Sequence, residues 1–218
     1  MNTILVLAAH PDDETLGCGG ALLRHIERGD RVAWCIATVA SEPRWSTAVI
    51  KAKNAEIDAV AEAFGFASVH RLAHPAPGLA SVPRETLVQE LRGILQSLEP
   101  DTVYCVSARD AHDDHQALFA GAAAALKPFR STVRRFLVYE TLSSTDVAAS
   151  DAPFSPNVFV DIGSVIERKL EILTMYASEV APPPFPRSAE TLRALARVRG
   201  AASGVEYAEA FQLIRERW

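Results

Sequence analysis

A chain of 218 residues, 49% hydrophobic and 22% charged, has enough apolar material for a packed α/β core and is too rich in it for a disordered chain. Lys and Arg number 22 against 27 Asp and Glu, a net charge of −5 with no basic run, so neither nucleic acid nor anionic lipid is expected as a partner. The apolar runs fall far short of the ~20 residues that cross a bilayer, so no membrane insertion is expected.

The apolar run Ile4-Leu5-Val6-Leu7-Ala8 predicts a buried parallel strand over 3–9. Further strands are expected at 31–38, 67–72, 102–107 and 134–140, with helices near 14–28, 48–64, 84–98 and 114–126 as crossovers. Gly29-Asp30 and Gly65 punctuate two helix ends, and Pro100 stops a third. This alternation is that of a doubly wound, Rossmann-like, mostly parallel sheet with helices on both faces. After Glu140 the rhythm changes: a loop over 143–157, a short strand over 157–161 and a helix around 163–178. Prolines 182–184 and 186 exclude helix from 182–188, leaving a polyproline linker or a segment on an active-site rim. Helices are expected at 189–199 and 206–216, so the C-terminal part reads as a loop-rich and helical extension of one domain, 1–218.

The chemistry concentrates in two places. Ala9-His10-Pro11-Asp12-Asp13-Glu14 crowds one imidazole and three carboxylates onto the turn after the first strand. Such turns face the ligand crevice of α/β folds, and ionisable groups there are costly unless a cation or a reaction uses them. Asp110-Ala111-His112-Asp113-Asp114-His115 follows the fourth strand. In the commonest doubly wound order the first and fourth strands are neighbours at the switch point, so both loops open onto one crevice.

Two imidazoles and one carboxylate form the ligand set of open catalytic zinc sites. We assign His10, Asp13 and His115 as metal ligands, with Asp12 free to act as general base. His112 stands at the rim to stabilise an oxyanion or protonate the leaving amine, and Asp114 or Asp110 orients the imidazoles. The same donor set suits iron(II) or cobalt. Singly, each residue has a plainer role: Asp12, Asp13 or Asp114 as an N-cap, Glu14 as a complement to the helix dipole. His25, His70 and His74 belong to no cluster and read as surface or core residues. Gly17-Cys18-Gly19-Gly20 lacks dinucleotide-fingerprint spacing and reads as close helix–sheet packing. Cys18, Cys35 and Cys105, odd in number and widely spaced, fit a reducing cytoplasm rather than a disulfide frame.

These residues resemble the PIG-L/LmbE-like family of zinc-dependent de-N-acetylases, in its bacterial branch. The likeness starts from Ala9-His10-Pro11-Asp12-Asp13-Glu14 with Leu16-Gly17-Cys18-Gly19-Gly20, and from His112-Asp113-Asp114-His115. It continues through Tyr139-Glu140-Thr141, Lys169, Tyr176, Pro186-Arg187-Ser188, Arg199-Gly200 and Tyr207-Ala208-Glu209-Ala210-Phe211. The resemblance implies removal of acetyl from an N-acetylated amino sugar, with His10, Asp13 and His115 on zinc, Asp12 as base and His112 assisting the transition state. It also makes a homo-oligomer an expectation. Lys53 stands where many members carry an Arg that holds sugar hydroxyls, and Phe185 replaces the His of a Pro-His-Pro-Arg-Ser segment, leaving Arg187 for an anionic substrate group. Rival readings are hydrolysis of another sugar-linked amide (N-formyl or thiol-conjugate), a dinucleotide oxidoreductase, and a sugar-binding protein without catalysis.

Overall fold

No polar residue interrupts 4–8, and a strand of that kind must be covered on both faces. In the computed structural model, which describes residues 1–148 and 153–218, this segment forms β1 (Thr3–Ala8), with Ile4 to Ala8 at most 2% exposed. β2 (Arg31–Val39), β3 (Ser68–Pro75), β4 (Thr102–Val106) and β5 (Arg135–Tyr139) extend the sheet in parallel. They are connected through α1 (Asp13–Glu27), α2 (Thr47–Phe64), α3 (Arg84–Leu98) and α4 (Asp113–Ala125). Two later strands, β6 (Val158–Asp161) and β7 (Ala208–Glu216), complete the sheet. The strand order is β3-β2-β1-β4-β5-β7-β6, so β1 and β4 are neighbours and the order reverses between them. Leu7 faces Cys35 on one side and Cys105 on the other. α1 and α2 pack on α5 (Ile166–Leu173), while α3 packs on α4, covering the sheet with two groups of helices.

The C-terminal part departs from the sequence reading. β6 falls where a short strand was expected, but α5 is only eight residues long. α6 (Ala189–Ser203) begins after Ser188, whose hydroxyl accepts the Thr191 amide. Residues 206–216, expected as helix, instead supply β7, antiparallel to both β5 and β6. Its Ala, Glu, Gln and Leu residues favour helix weakly, but the free edge of β5 offers unpaired backbone groups that only a strand can satisfy. Phe211 is fully buried there, edge-on to Tyr104 at 5.1 Å between ring centroids. Of the predicted loop 143–157, residues 149–152 lie outside the described residues.

β7 also anchors the helix that carries the first motif. Glu209 accepts the amides of Gly20 (2.8 Å) and Ala21 (2.7 Å) of α1, and Lys169 of α5 donates to Glu209 (2.7 Å) and to the Leu16 carbonyl (2.9 Å). The glycines of α1 serve close approach. A Cβ on Gly20 would stand 2.6 Å from Ile162 Cγ2, and one on Gly17 would enter the Tyr139 ring. Among the described residues, no helix is long and apolar enough to cross a membrane.

Candidate active site

β1 ends at Ala8, and the turn that follows is fastened to β2: the Thr38 amide and hydroxyl both donate to the Ala9 carbonyl, at 3.0 and 2.7 Å. Asp12 then takes φ 117°, a left-handed conformation costing on the order of 1–3 kcal/mol in a non-glycine residue. That geometry starts α1 at Asp13 and leaves Asp12 outside the helix, without a capping hydrogen bond from its side chain. After β4, the loop through Asp110 enters α4 with His112 as N-cap, its Nδ1 accepting the Asp114 amide at 3.1 Å. Because β1 and β4 are adjacent, the two loops meet, with the His10 and His115 rings 5.4 Å apart between centroids.

His10 Nδ1 lies 3.6 Å from Asp13 Oδ2, and His115 Nε2 lies 3.3 Å from Asp13 Oδ1. One donor atom from each of these three residues lies within 4.8 Å of the other two. The opposite ring nitrogens are already held: His10 Nε2 donates to Asp114 at 3.0 Å and His115 Nδ1 to Asp110 at 2.6 Å. Thr145 Oγ1 donates to the second oxygen of Asp110 at 2.6 Å, and Asp114 accepts the Gly78 and Leu79 amides at 3.1 and 2.8 Å. Asp114 therefore braces His10 instead of capping its own helix. A nitrogen–nitrogen–oxygen donor set with its outer nitrogens oriented by carboxylates fits a tetrahedral divalent metal with one position left for a ligand. His10, His112 and Asp114 also lie close enough to share an ion, but Asp114 is committed to two amides and to His10.

Burial opposes charge on both imidazoles, yet the carboxylates prevail. Asp114 and Asp13 raise His10 to about 9, and Asp13 with Asp110 raises His115 to about 10. Asp13 is held well below the usual carboxylate range, its burial outweighed by His115 and His10. The turn thus attracts positive charge strongly, and a divalent cation answers the same demand. Asp12 is pushed the other way, by burial and by the charge of Asp13, against the pull of Arg187, whose Nη1 donates to Asp12 Oδ2 at 2.9 Å. The His112 ring sits 4.4 Å from His10 and 5.1 Å from His115, and burial with these neighbours lowers its pKa.

His10, Asp12, Asp13, His112 and His115 line one cleft of ≈360 Å³, whose lining also includes Trp45, Lys53 and Arg187. The two cations expected to bind substrate reach this cleft but are already paired. Lys53 Nζ donates to Glu179 Oε1 (2.7 Å) and Ser178 Oγ (2.8 Å), and Arg187 Nη1 lies 3.2 Å from Glu179 Oε2. Of the proline-rich segment, Arg187 lines the cleft, its guanidinium 5.4 Å from the Phe185 ring centre. Sequence reasoning passed over Glu179 altogether, and no local pattern marks it. Glu14, expected to complement the helix dipole, is instead fully buried: its carboxyl accepts Thr15 Oγ1 (2.5 Å), Tyr176 OH (2.7 Å) and the Asp12 amide (3.3 Å). Burial pushes its pKa up to about 7. Away from the cleft, His25 pairs with Asp30 and Tyr104, His74 with Glu90, and His70 with Ser68.

The same segment is matched by a known family. The PIG-L family, described as GlcNAc-PI de-N-acetylase, matches residues 5–126, from β1 through α4 and so across both loops. An Escherichia coli K12 relative, described as the uncharacterized deacetylase YaiS, is 27% identical over 166 residues, spanning 73% of this chain and 81% of that protein. The crystal structure of the conserved protein TT1542 from Thermus thermophilus is 26% identical with a TM-score of 0.79, covering 100% of this chain and 97% of that one. The N,N'-diacetylchitobiose deacetylase of Pyrococcus horikoshii shares the fold at 22% identity and a TM-score of 0.76, over 98% of this chain and 84% of its own. With more than half its length matched, and both His/Asp loops inside the match, the chain belongs to the PIG-L (GlcNAc-PI de-N-acetylase) family.

Proposed function

We propose that the protein is a zinc-dependent hydrolase that removes the acetyl group from an N-acetylated amino sugar of the N-acetylglucosamine type. The observation that carries this reading is the meeting of His10, Asp13 and His115 within sharing distance of one ion, beside the Asp12 carboxylate, which is not part of that donor group, in an open cleft. A zinc ion held by those three residues would polarise the acyl carbonyl and lower the pKa of water at the site. Iron(II) or cobalt would satisfy the same donors.

The chain's own groups then divide the work. Asp12, raised in pKa and steadied by Arg187, accepts a proton from the attacking water as oxygen bonds to the acetyl carbon. His112 accepts the Asp114 amide at Nδ1, so the neutral ring carries its proton on Nε2 and donates to the oxygen where charge develops. The C–N bond breaks as the proton held by Asp12 passes to the leaving nitrogen. Asp114 and Asp110 keep the two ligand imidazoles in the tautomer and orientation that binding requires.

The family membership supports deacetylation over a dinucleotide reaction, as does the glycine run. Its Gly17 and Gly20 are closed off against Tyr139 and Ile162 and offer no room for a pyrophosphate. Three buried free thiols support a reducing, cytoplasmic setting, and a small-molecule partner suits the cleft. The test is metal analysis of the purified protein together with amine release from a panel of N-acetyl, N-formyl and thiol-conjugated hexosamines. Amine release from the N-acetyl compounds, lost on chelation and restored by zinc, is the expected result. Full activity in a preparation with no detectable metal would refute it.

A further inference from the structure

Lys53 and Arg187 reach the cleft from α2 and from the proline-rich segment, distant parts of the chain that meet at its mouth. Left to themselves, an ammonium and a guanidinium so placed would form a clamp for a phosphate or carboxylate. Glu179 stands between them. Its Oε1 takes Lys53 Nζ at 2.7 Å, and its Oε2 lies 3.2 Å from Arg187 Nη1. The other partner of Lys53 is the neutral Ser178 hydroxyl, and that of Arg187 is Asp12. Arg44, exposed, and Glu56, half-buried, are of opposite sign, also line the mouth and offset one another in charge.

Resting on the deacetylase reading, we infer that Glu179 selects substrate by charge: it occupies the Lys53–Arg187 clamp and, with Asp12 on Arg187, offsets its charge, so that the cleft takes uncharged N-acetylated amino sugars in preference to phosphorylated ones. An anion reaching either cation must displace this carboxylate or sit beside it. Two like charges about 6 Å apart at an effective dielectric of ~20 lower a binding constant by roughly tenfold to a hundredfold. Glu179 is half-buried, and the hydrogen bond and charge of Lys53 keep it ionised against the pull of burial. Lys53 and Arg187 are then positioning residues for Glu179 and Asp12 in the native protein, and become anion ligands only when Glu179 loses its charge.

The experiment compares methyl N-acetyl-α-glucosaminide with N-acetyl-α-glucosamine 1-phosphate on the metal-loaded full chain, in the native protein, Glu179→Gln and Glu179→Gln/Lys53→Gln. The native protein should favour the neutral glycoside in kcat/KM. Glu179→Gln should raise the phosphate-to-glycoside ratio about tenfold or more, through KM, and the added Lys53→Gln should return most of that gain. A merely structural role would depress both substrates alike. A native preference for the phosphate, or a ratio unmoved by Glu179→Gln, overturns the inference. Calorimetric binding of the two corresponding amines to the same three proteins separates this from the deacetylase reading. If no compound is deacetylated, that reading falls, while the binding ratios still decide charge selection. Ratios that do not shift, or no binding of either amine to the native protein and Glu179→Gln, overturn it.

Discussion

Asp110 is the most informative position at which to perturb the proposed metal site without touching a proposed ligand. Its carboxylate is 1% exposed and takes His115 Nδ1–H at 2.6 Å and Thr145 Oγ1–H at 2.6 Å. Asp110→Asn keeps the volume and one acceptor but exchanges a charge-assisted bond, worth roughly 1.5–3 kcal/mol, for a neutral one of roughly 0.5–1.5 kcal/mol. The loss of about 1–1.5 kcal/mol corresponds to about a tenfold weaker metal site, at the lower end of the 10–100-fold typical of such bracing residues. Asp110→Ala removes both bonds and should reach about a hundredfold, whereas Thr145→Val, which loosens only the brace, should stay within about threefold. The assay is competition for zinc against a chelator of known affinity, with circular dichroism to confirm that each variant is folded. A folded Asp110→Ala protein that holds zinc as tightly as the native one would refute the assignment of His115 as a ligand oriented by Asp110.

Other perturbations probe separate links. Asp12→Asn should retain the full metal complement yet lose about 10²–10⁴-fold in kcat with little change in KM; loss of metal along with activity would place Asp12 among the ligands instead. Lys169→Met leaves Glu209, 5% exposed, without its one cationic partner among the described residues, and should cost about 3–5 kcal/mol in chemical denaturation. Adding Glu209→Gln should recover part of that loss, and an unchanged midpoint in the single variant would show that the pair contributes nothing. Gly17→Ala drives a methyl group into Tyr139 and should lower stability by about 1–3 kcal/mol, read from the denaturation midpoint; a neutral effect would show that α1 can shift away from β5 without penalty.

The amino-acid sequence by itself determined those parts of the protein whose physics is local. An unbroken apolar run had to be a strand covered on both faces, and the His10–Glu14 turn behind it had to open at that strand's carboxyl end. The adjacency of β1 and β4 followed from the regular alternation of strands and helices, and with it the approach of His10 to His115. Tertiary structure alone decided the remainder. Residues 208–216 carry helix-favouring side chains, and the open edge of β5 made them a strand. Asp114 had the local signature of a helix cap, but the Gly78 and Leu79 amides and the His10 ring claimed its carboxylate. Glu14 was turned from a dipole complement into a buried brace by the Tyr176 hydroxyl from far along the chain. Glu179 took its place between Lys53 and Arg187 in the same way. Hydrophobic period and turn chemistry are written in neighbouring residues, whereas the partner of a buried charge is chosen by whatever group the folded chain brings within about 3 Å of it.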